Sequence, residues 1–230
     1  ALQAAFLDDN PGVGAVGASA DYIDQDGRSQ VKDSLAAGPA VMRWLLLFGN
    51  PILHSGVMFR RDLAVKLGGY DQGFAYAQDY NLWSRLCLES DIVRLAEVLV
   101  RSRRHAGALS ARRKEEQAEF GNRTRQANME RLLGRAVDLE VIRAFNRRTR
   151  VPGQCRAGAR LVLDLWQAAQ ERWPLSPRER SLIRAEAADQ LRGLAGLQAR
   201  TLPWEAAYVY LRAVGLGLYA NRHKRRGESP

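Results

Sequence analysis

The sequence predicts a mixed α/β region over residues 1–110 and an all-α region over residues 111–230. In the first region, short apolar runs bounded by turn residues alternate with segments of helical spacing, which is typical of a sheet covered by helices. The second region has helical spacing without strand-like runs. Residues 1–100 carry 8 Lys+Arg and 12 Asp+Glu, a net charge of −4, whereas residues 101–230 carry 27 and 13, a net charge of +14. A boundary near Ser110 accounts for both observations.

Size and cysteine content narrow the class of protein. The 230 residues suffice for one well-formed core, or for one domain and a smaller one. Cys87 and Cys155 are the two cysteines, so neither a disulfide framework nor a zinc site is indicated, and a reducing, cytoplasmic location is expected. We find neither a signal peptide nor an apolar run of membrane-spanning length. The chain opens without Met inside a helical pattern, so we expect a fragment or a truncated chain.

The first elements are a helix end, a buried strand and a turn. The helix places Leu2 and Phe6 on one face, and Pro11 terminates it because the residue before a proline disfavours helical backbone. Val13–Ala18 is an apolar run that predicts a buried strand. Asp24–Gly27 then predicts a hairpin turn, since Asp before Gly is common turn chemistry.

The middle of the first region predicts short elements. Val41–Phe48 is apolar and predicts a short helix, and Gly56–Phe59 predicts a short buried strand. Asp62 opens a helix that Gly68-Gly69 ends, because a glycine past the last turn adopts left-handed backbone readily. Tyr70–Gly73 predicts a turn before the next helix.

One carboxylate in this region is the strongest candidate for chemistry. A helix beginning at Asp79 or one residue earlier has an inward face at i, i+3, i+4 and i+7, formed by Asp79, Leu82, Trp83 and Leu86. A carboxylate on the inward face of a helix's first turn is not where a merely solvated acid would lie. The alternative is that Asp79 only caps the helix, because Asp is a preferred capping residue.

Two strands and a series of helices complete the chain. Ile92–Leu95 and Val98–Ser102 predict two strands that lead to an Arg-rich loop. Helical spacing then predicts helices over Lys114–Phe145, over Arg156–Trp173, from a capping box at Ser176–Glu179 to about Arg200, and from Pro203 onward.

Four segments of the first region, in this order and spacing, resemble a known family. They are NP-x3-S-x-VMFRR, LGGYD-x2-F, QDYNLWSRL and R-x-H-x-G-x2-S. Together they resemble the second half of the catalytic domain of family 2 glycosyltransferases, which have the GT-A fold, a mixed sheet with helices that binds nucleotide-diphospho-sugars. The resemblance implies that Asp79 is the general base of an inverting sugar transfer. Asn81 departs from the family, which usually has a second Asp there, but this change leaves the base in place.

The resemblance also implies further site residues. His105 would lie near the diphosphate and act as a metal ligand, and Arg103 would pair with diphosphate oxygens. The alternative for His105 is a surface histidine in an Arg-rich loop. His54 and Trp83 are candidates on the acceptor side, although a lone histidine such as His54 is more often a satisfied core residue.

The implied cofactor is a divalent cation, Mg or Mn. The family holds it with an Asp-x-Asp pair, because hard cations prefer carboxylate oxygens. That pair is expected upstream of Ala1, so we expect this chain to be inactive alone. Asp24 and Asp26 also form an Asp-x-Asp sequence, but they fall on the family's hairpin turn, and we interpret them as turn residues.

The implied partners are a nucleotide-sugar donor and a carbohydrate or lipid-linked acceptor, in bacterial surface polysaccharide or glycolipid synthesis. Residues 111–230 have three interpretations: a solvated helical bundle, a surface for the anionic cytoplasmic leaflet of a membrane, or a nucleic-acid binder. The last is the least favoured, because no helix-turn-helix pattern is present. Two alternative functions are a catalytically silent glycosyltransferase-like scaffold and a basic helical adaptor.

Overall fold

The computed structural model describes residues 1–33, 35–104, 113–143, 145, 154–198, 207–209 and 211. They belong to two compact units, Ala1–Met129 and Glu130–Pro230. The strands are β1 (Val13–Ile23), β2 (Ser29–Asp33), β3 (Val57–Phe59) and β4 (Asp91–Arg103). The helices are α1 (Leu2–Asp9), α2 (Pro39–Phe48), α3 (Arg61–Lys66), α4 (Gln78–Glu89), α5 (Lys114–Leu133), α6 (Leu139–Arg143), α7 (Cys155–Arg172) and α8 (Pro177–Gln198). A single 3₁₀ turn, His54–Gly56, precedes β3.

The first unit is a mixed α/β structure built on an open mixed sheet. Its central strand β1 pairs antiparallel with β2 and β3 and parallel with β4. Ten of its eleven residues are buried, which is why its sequence is almost continuously apolar. Helices α1, α2 and α4 pack against β1 or β4, so the core lies between the sheet and these helices. The predicted α/β class and the hairpin turn at Asp24–Gly27 are confirmed, the latter by the β1–β2 pairing.

Two strand predictions are wrong in detail. The predicted strands Ile92–Leu95 and Val98–Ser102 are parts of one long strand, β4, whose register against β1 shifts between them. Those irregularities interrupt the alternating pattern in the sequence without ending the strand. The predicted buried strand at Gly56–Phe59 is the three-residue strand β3, in which Met58 is 37% exposed. Because β3 pairs with β1 alone among the described strands, it is less covered than the sequence predicts.

Two helix predictions also need correction. In α1 the buried side chain is Leu7, with Phe6 partly buried against the same cluster, whereas Leu2 is exposed to solvent. The predicted helix over Lys114–Phe145 is two helices, α5 and α6, because Gly134 adopts left-handed backbone with φ +70°.

The second unit is helical in its described residues. Helices α7 and α8 pack against each other along apolar faces that include Val162, Leu165, Ile183 and Leu191. The predicted capping box at the start of α8 is confirmed, since the Ser176 backbone N–H donates to Glu179 and the Glu179 N–H donates to Ser176 Oγ. Most of the predicted helix from Pro203 onward lies outside the described residues. None of the described helices is both long and apolar enough to cross a membrane.

The first compact unit extends beyond the predicted boundary near Ser110 and ends at Met129, inside α5. Hydrogen bonds explain why this part of α5 belongs to the α/β unit. Asn128 Nδ2 donates to the Leu46 carbonyl at 2.8 Å and to Ser84 Oγ at 2.9 Å. The Tyr80 hydroxyl donates to the same carbonyl at 2.6 Å, so α2, α4 and α5 meet at one polar contact.

Gly14 allows α3 and the end of α4 to approach β1 closely. A Cβ at this position would lie 2.0 Å from Ser90 Oγ and 2.6 Å from Leu63 Cδ2. Gly14→Ala should therefore lower the free energy of unfolding by about 1–3 kcal/mol, the usual cost of overpacking a core. The measurement is urea denaturation followed by circular dichroism. Gly12→Ala is the matched control, because no atom of the described chain beyond its neighbours lies within 4 Å of an added Cβ there. Equal effects of both substitutions would contradict this packing.

The buried Cys87 thiol leads us to predict a pH-dependent stability. Burial raises the pKa of Cys87 from its ordinary value of 9.0 to about 11; the Arg43 guanidinium opposes this shift and the Asp91 carboxylate adds to it. Because the unfolded chain releases the proton first, the free energy of unfolding should fall by about 2–3 kcal/mol as the pH rises from about 9 to about 11. Denaturation curves over this pH range measure the fall. In Cys87→Ala it should be smaller, and an unchanged pH dependence would refute the assignment.

Candidate active site

A cavity of about 570 Å³ opens in the first unit beside the N-terminal end of α4. Its volume lies within the roughly 300–1,000 Å³ that is typical of small-molecule sites. The segment between α3 and α4, with the first turn of α4, supplies Tyr70, Ala75, Tyr76, Ala77, Gln78 and Asp79. The 3₁₀ turn adds His54, and the N-terminal end of α5 adds Arg113 and Gln117. The same cavity is therefore lined by aromatic rings, side-chain amides, one carboxylate and one guanidinium.

Asp79 lies half-buried in the first turn of α4, and its carboxylate is part of the cavity lining. Oδ1 accepts a hydrogen bond from the Tyr80 N–H at 2.8 Å, and Oδ2 accepts one from Asn50 Nδ2 at 2.8 Å. The Tyr80 N–H is one of the free N–H groups of the first turn, so the capping alternative holds for Oδ1, although the N-cap residue itself is Ala77. Oδ2 is bound by the Asn50 side chain and not by the helix. A carboxylate has about four acceptor sites, and two hydrogen bonds leave it able to accept a proton from a ligand.

Asn50 is held in place by the loop that follows α2. Its Oδ1 accepts a hydrogen bond from the Ile52 N–H at 3.1 Å, which orients the amide so that Nδ2 can donate to Asp79. The next carbonyl, that of Pro51, accepts a hydrogen bond at 3.0 Å from Arg94, a buried residue of β4. Arg94 also forms an ion pair at 2.5 Å with Asp33. The orientation of the Asp79 carboxylate thus depends on contacts that reach the central sheet.

Ala77 turns the chain into α4 with left-handed backbone, φ 56° and ψ 28°. Left-handed backbone costs a residue other than glycine about 1–2 kcal/mol. Such strain persists where the surrounding structure fixes the conformation, and it is common at ligand sites. Here the strained residue and the two that follow it, Gln78 and Asp79, all line the cavity.

The two acceptor-side candidates lie in different environments. His54 is exposed and lines the cavity, and its Nε2 lies 2.9 Å from the Tyr70 hydroxyl, in a hydrogen bond whose donor depends on the histidine tautomer. The core-histidine alternative for His54 is therefore wrong. Trp83 is fully buried, and its ring lies beside those of His54 and Phe59, at centroid distances of 6.2 and 5.4 Å. Trp83 supports the cavity wall from behind.

Neither donor-side candidate, Arg103 or His105, is among the described residues that line the cavity. Arg103 donates hydrogen bonds to the backbone carbonyls of Asp24 and Gln25, and so binds the β1–β2 turn. Its diphosphate role stays a prediction. His105 lies outside the described residues.

Asn81, the position that departs from the family pattern, has a structural role. Its Oδ1 accepts a hydrogen bond from Arg85 Nε at 2.9 Å. Arg85 in turn donates to the carbonyls of Leu67 and Gly69 at 2.6 Å each, which are free because α3 ends there. Asn81 thus helps to attach the end of α3 to α4 and is not among the residues that line the cavity.

The described cavity offers few ligands for a metal ion. Asp79 is the one carboxylate among its described lining residues. Nowhere in the described ranges do three or more His, Cys, Asp or Glu side chains form a group that could hold a metal ion. A hard divalent cation needs several oxygen ligands, so these residues do not fit one by themselves.

Sequence reasoning missed Asn50, Tyr70, Arg113 and Gln117. Tyr70 appeared only as part of a turn, and the Asn50-Pro51 pair only as part of a motif. The one available signal was the position of both residues in the segments that carry the family resemblance. Arg113 and Gln117 lie in a region with no recognisable motif, and only the packing of α5 brings them to the cavity.

The negative charge of Asp79 should have a measurable effect on the pKa of Tyr70. Burial raises the pKa of the Tyr70 hydroxyl above its usual 10.0, and the nearby negative charge of Asp79 raises it further. Asp79→Asn should therefore lower the pKa of Tyr70, because an ionised tyrosine no longer meets a carboxylate. Ultraviolet titration of tyrosinate measures this, with Tyr70→Phe in each background to isolate the signal. Asp62→Asn, at an exposed position of α3, is the control and should have no effect. A Tyr70 pKa that is unchanged in Asp79→Asn would refute the proximity.

Comparison with known proteins gives a relative whose name describes an activity. No family model matches the chain. The chain is 29% identical over 112 residues to the amylovoran biosynthesis glycosyltransferase AmsE of Erwinia amylovora. The matched part covers 48% of this chain and 41% of AmsE, so the chain spans about two fifths of the length of that relative. This similarity supports a glycosyltransferase relationship, which agrees with the resemblance found in the sequence.

Proposed function

We propose that this chain is part of an inverting glycosyltransferase of family 2, with a GT-A catalytic domain. The complete protein would transfer a sugar from a nucleotide-diphosphate donor to an acceptor hydroxyl in the synthesis of a surface polysaccharide or glycolipid. The observation that carries the proposal is the half-buried Asp79 carboxylate at the cavity, with acceptor capacity left for a proton. Three features support it further: the family segments, the similarity to AmsE, and the mixed sheet.

In this mechanism Asp79 is the general base. The acceptor hydroxyl hydrogen-bonds to the carboxylate, and its oxygen attacks the anomeric carbon of the donor sugar. The hydroxyl proton passes to Asp79 as the new C–O bond forms, and the bond from the anomeric carbon to the diphosphate breaks. Attack from the side opposite the leaving group inverts the configuration.

Residues around Asp79 would hold and orient the acceptor. Asn50 keeps one carboxylate oxygen in a fixed direction, which matters because proton transfer requires hydrogen-bond reach. The His54–Tyr70 pair supplies polar groups on the same cavity wall, and Tyr70 and Tyr76 supply ring faces on which a sugar can stack. These contacts would keep the reacting hydroxyl at the base.

Binding of the nucleotide-diphosphate donor is a further part of the proposal. The diphosphate and a divalent cation would be bound by residues other than those that line the described cavity, including the predicted upstream Asp-x-Asp pair. When bound, the cation would neutralise the leaving diphosphate. The described residues do not fit a cation by themselves, since Asp79 is the one carboxylate among them that lines the cavity. The cytoplasmic location and the contact of residues 111–230 with a membrane surface also stay predictions.

Removal of the base in the complete gene product that contains this chain tests the mechanism. Asp79→Asn should lower the rate of sugar transfer by roughly 10²–10⁴-fold, the usual contribution of a positioned general base. Release of nucleoside diphosphate from a panel of nucleotide sugars, in the presence of cell membranes as the acceptor source, measures this rate. Asp62→Asn is the control, since this exposed residue of α3 does not line the cavity.

The result would also separate the proposal from a silent scaffold. A scaffold requires that transfer in cells carrying Asp79→Asn match that in cells carrying the unchanged protein. Equal rates in Asp79→Asn, Asp62→Asn and the unchanged enzyme would overturn the catalytic role of Asp79.

A further inference from the structure

Helix α5 contributes a polar wall to the cavity, although its sequence carries no recognisable motif. Arg113 precedes its first residue, and Gln117 follows one turn later, so both side chains lie on the same side. The next turn carries Phe120, whose ring lies 5.6 Å from that of Phe74 and 6.1 Å from that of Tyr76. Phe120 therefore packs the cavity-lining segment before α4 against the helix that carries Arg113 and Gln117.

This wall is anchored to the core of the first unit. Three turns further along α5, Asn128 binds the Leu46 carbonyl and the Ser84 hydroxyl, and Met129 is fully buried. A helix fixed at Phe120 and at Asn128 has little freedom to rotate. Arg113 and Gln117 are thus presented to the cavity by a supported element.

The chemistry of the lining indicates what it would recognise. Asp79 suits a neutral hydroxyl, the amides of Gln78 and Gln117 suit further hydroxyls, and Tyr76 offers a ring face. Arg113 is the one cationic side chain among the described lining residues. Its guanidinium is a five-donor fork that matches a carboxylate.

Arg113 can exchange its present partner at low cost. It pairs with Glu116 at 2.9 Å, and these two side chains are 56% and 45% exposed. An exposed ion pair of this kind contributes little to stability. Glu116 is not among the residues that line the cavity, so a ligand anion in the cavity would approach Arg113 from another direction.

We propose that the acceptor is an acidic carbohydrate, a sugar ring with a carboxylate such as a uronic acid. The carboxylate binds Arg113, a ring hydroxyl binds Gln117, and another hydroxyl reaches Asp79. The role of that last hydroxyl as the acceptor rests on the proposed function. The binding of the acidic ring by α5 does not, since it requires no donor and no transfer.

Binding of simple glycosides to this chain tests the proposal directly. Methyl glucuronide and methyl glucoside differ in the carboxylate and are titrated separately, with saturation-transfer NMR as the readout. The unchanged chain should bind the glucuronide at least about tenfold more tightly, which is the low end of what a hydrogen bond to a charged group contributes. Arg113→Gln should abolish this preference, and Gln117→Leu should weaken the binding of both glycosides.

Two controls show that the effect is local. Arg123→Gln removes an arginine of the same helix that lies over the Phe120 ring and does not line the cavity, so it should leave both affinities unchanged. Circular dichroism spectra should be the same for all variants.

Several results would overturn the inference. They are a lack of glucuronide binding, equal affinities for the two glycosides, or a preference for the glucuronide that survives Arg113→Gln. A further overturning result is that Arg113→Gln abolishes binding of inorganic pyrophosphate but not of the glucuronide, because Arg113 would then belong to the donor side. If instead glucuronide binds as expected but Asp79→Asn leaves transfer unchanged, the proposed function and the acceptor role of the sugar fail, and the binding of the acidic ring by Arg113 and Gln117 stands.

Discussion

The hydrogen bond from Asn50 to Asp79 is the contact on which the arrangement of the cavity depends. It joins two residues that are 29 positions apart, one in the loop after α2 and the other in the first turn of α4. Without a fixed donor, a half-buried carboxylate would turn toward the solvent or toward any free amide of the helix start. With Asn50 and Tyr80 each bound to one oxygen, the remaining lone pairs have defined directions.

That contact in turn depends on a partly buried ion pair, in which Arg94 is buried and the Asp33 side chain is 36% exposed. Arg94 is 6% exposed and lies on β4, where it binds both Asp33 and the carbonyl of Pro51. Loss of one partner from a buried pair leaves an uncompensated charge, which costs far more than the pair contributes. The loop that carries Asn50 is therefore fixed to the sheet by an interaction that is expensive to break. An exposed residue, Asn50, thus contacts the Asp79 carboxylate from a loop that is attached to the sheet.

The sequence predicted those features that depend on neighbouring residues. The C-terminal end of α3 was predicted from Gly68-Gly69, and the N-terminal end of α8 from the Ser176–Glu179 capping box. Both predictions succeed because caps and turns involve groups that are a few residues apart. The inward face of α4 followed from spacing, since Leu82, Trp83 and Leu86 are fully buried. Contacts across the chain did not follow: neither the Asn50–Asp79 bond nor the approach of α5 has a local signature. Of the candidate site residues, Asp79 and His54 lie at the cavity, whereas Trp83 lies behind it and Arg103 binds the hairpin turn.

The boundary between the two units is another feature that the sequence did not predict accurately. The change in net charge places a boundary near Ser110, whereas the compact unit ends at Met129. Charge describes mainly what a segment presents to solvent, and α5, with four Lys+Arg and four Glu, is neutral. It is nevertheless attached to the α/β unit through Phe120 and Asn128. The net-charge count therefore gives no signal for this helix, whose buried Met129 belongs to the first unit. It follows that residues 114–129 belong with the candidate catalytic unit, and that removal of everything after Ser110 would take away a wall of the cavity as well as the second unit.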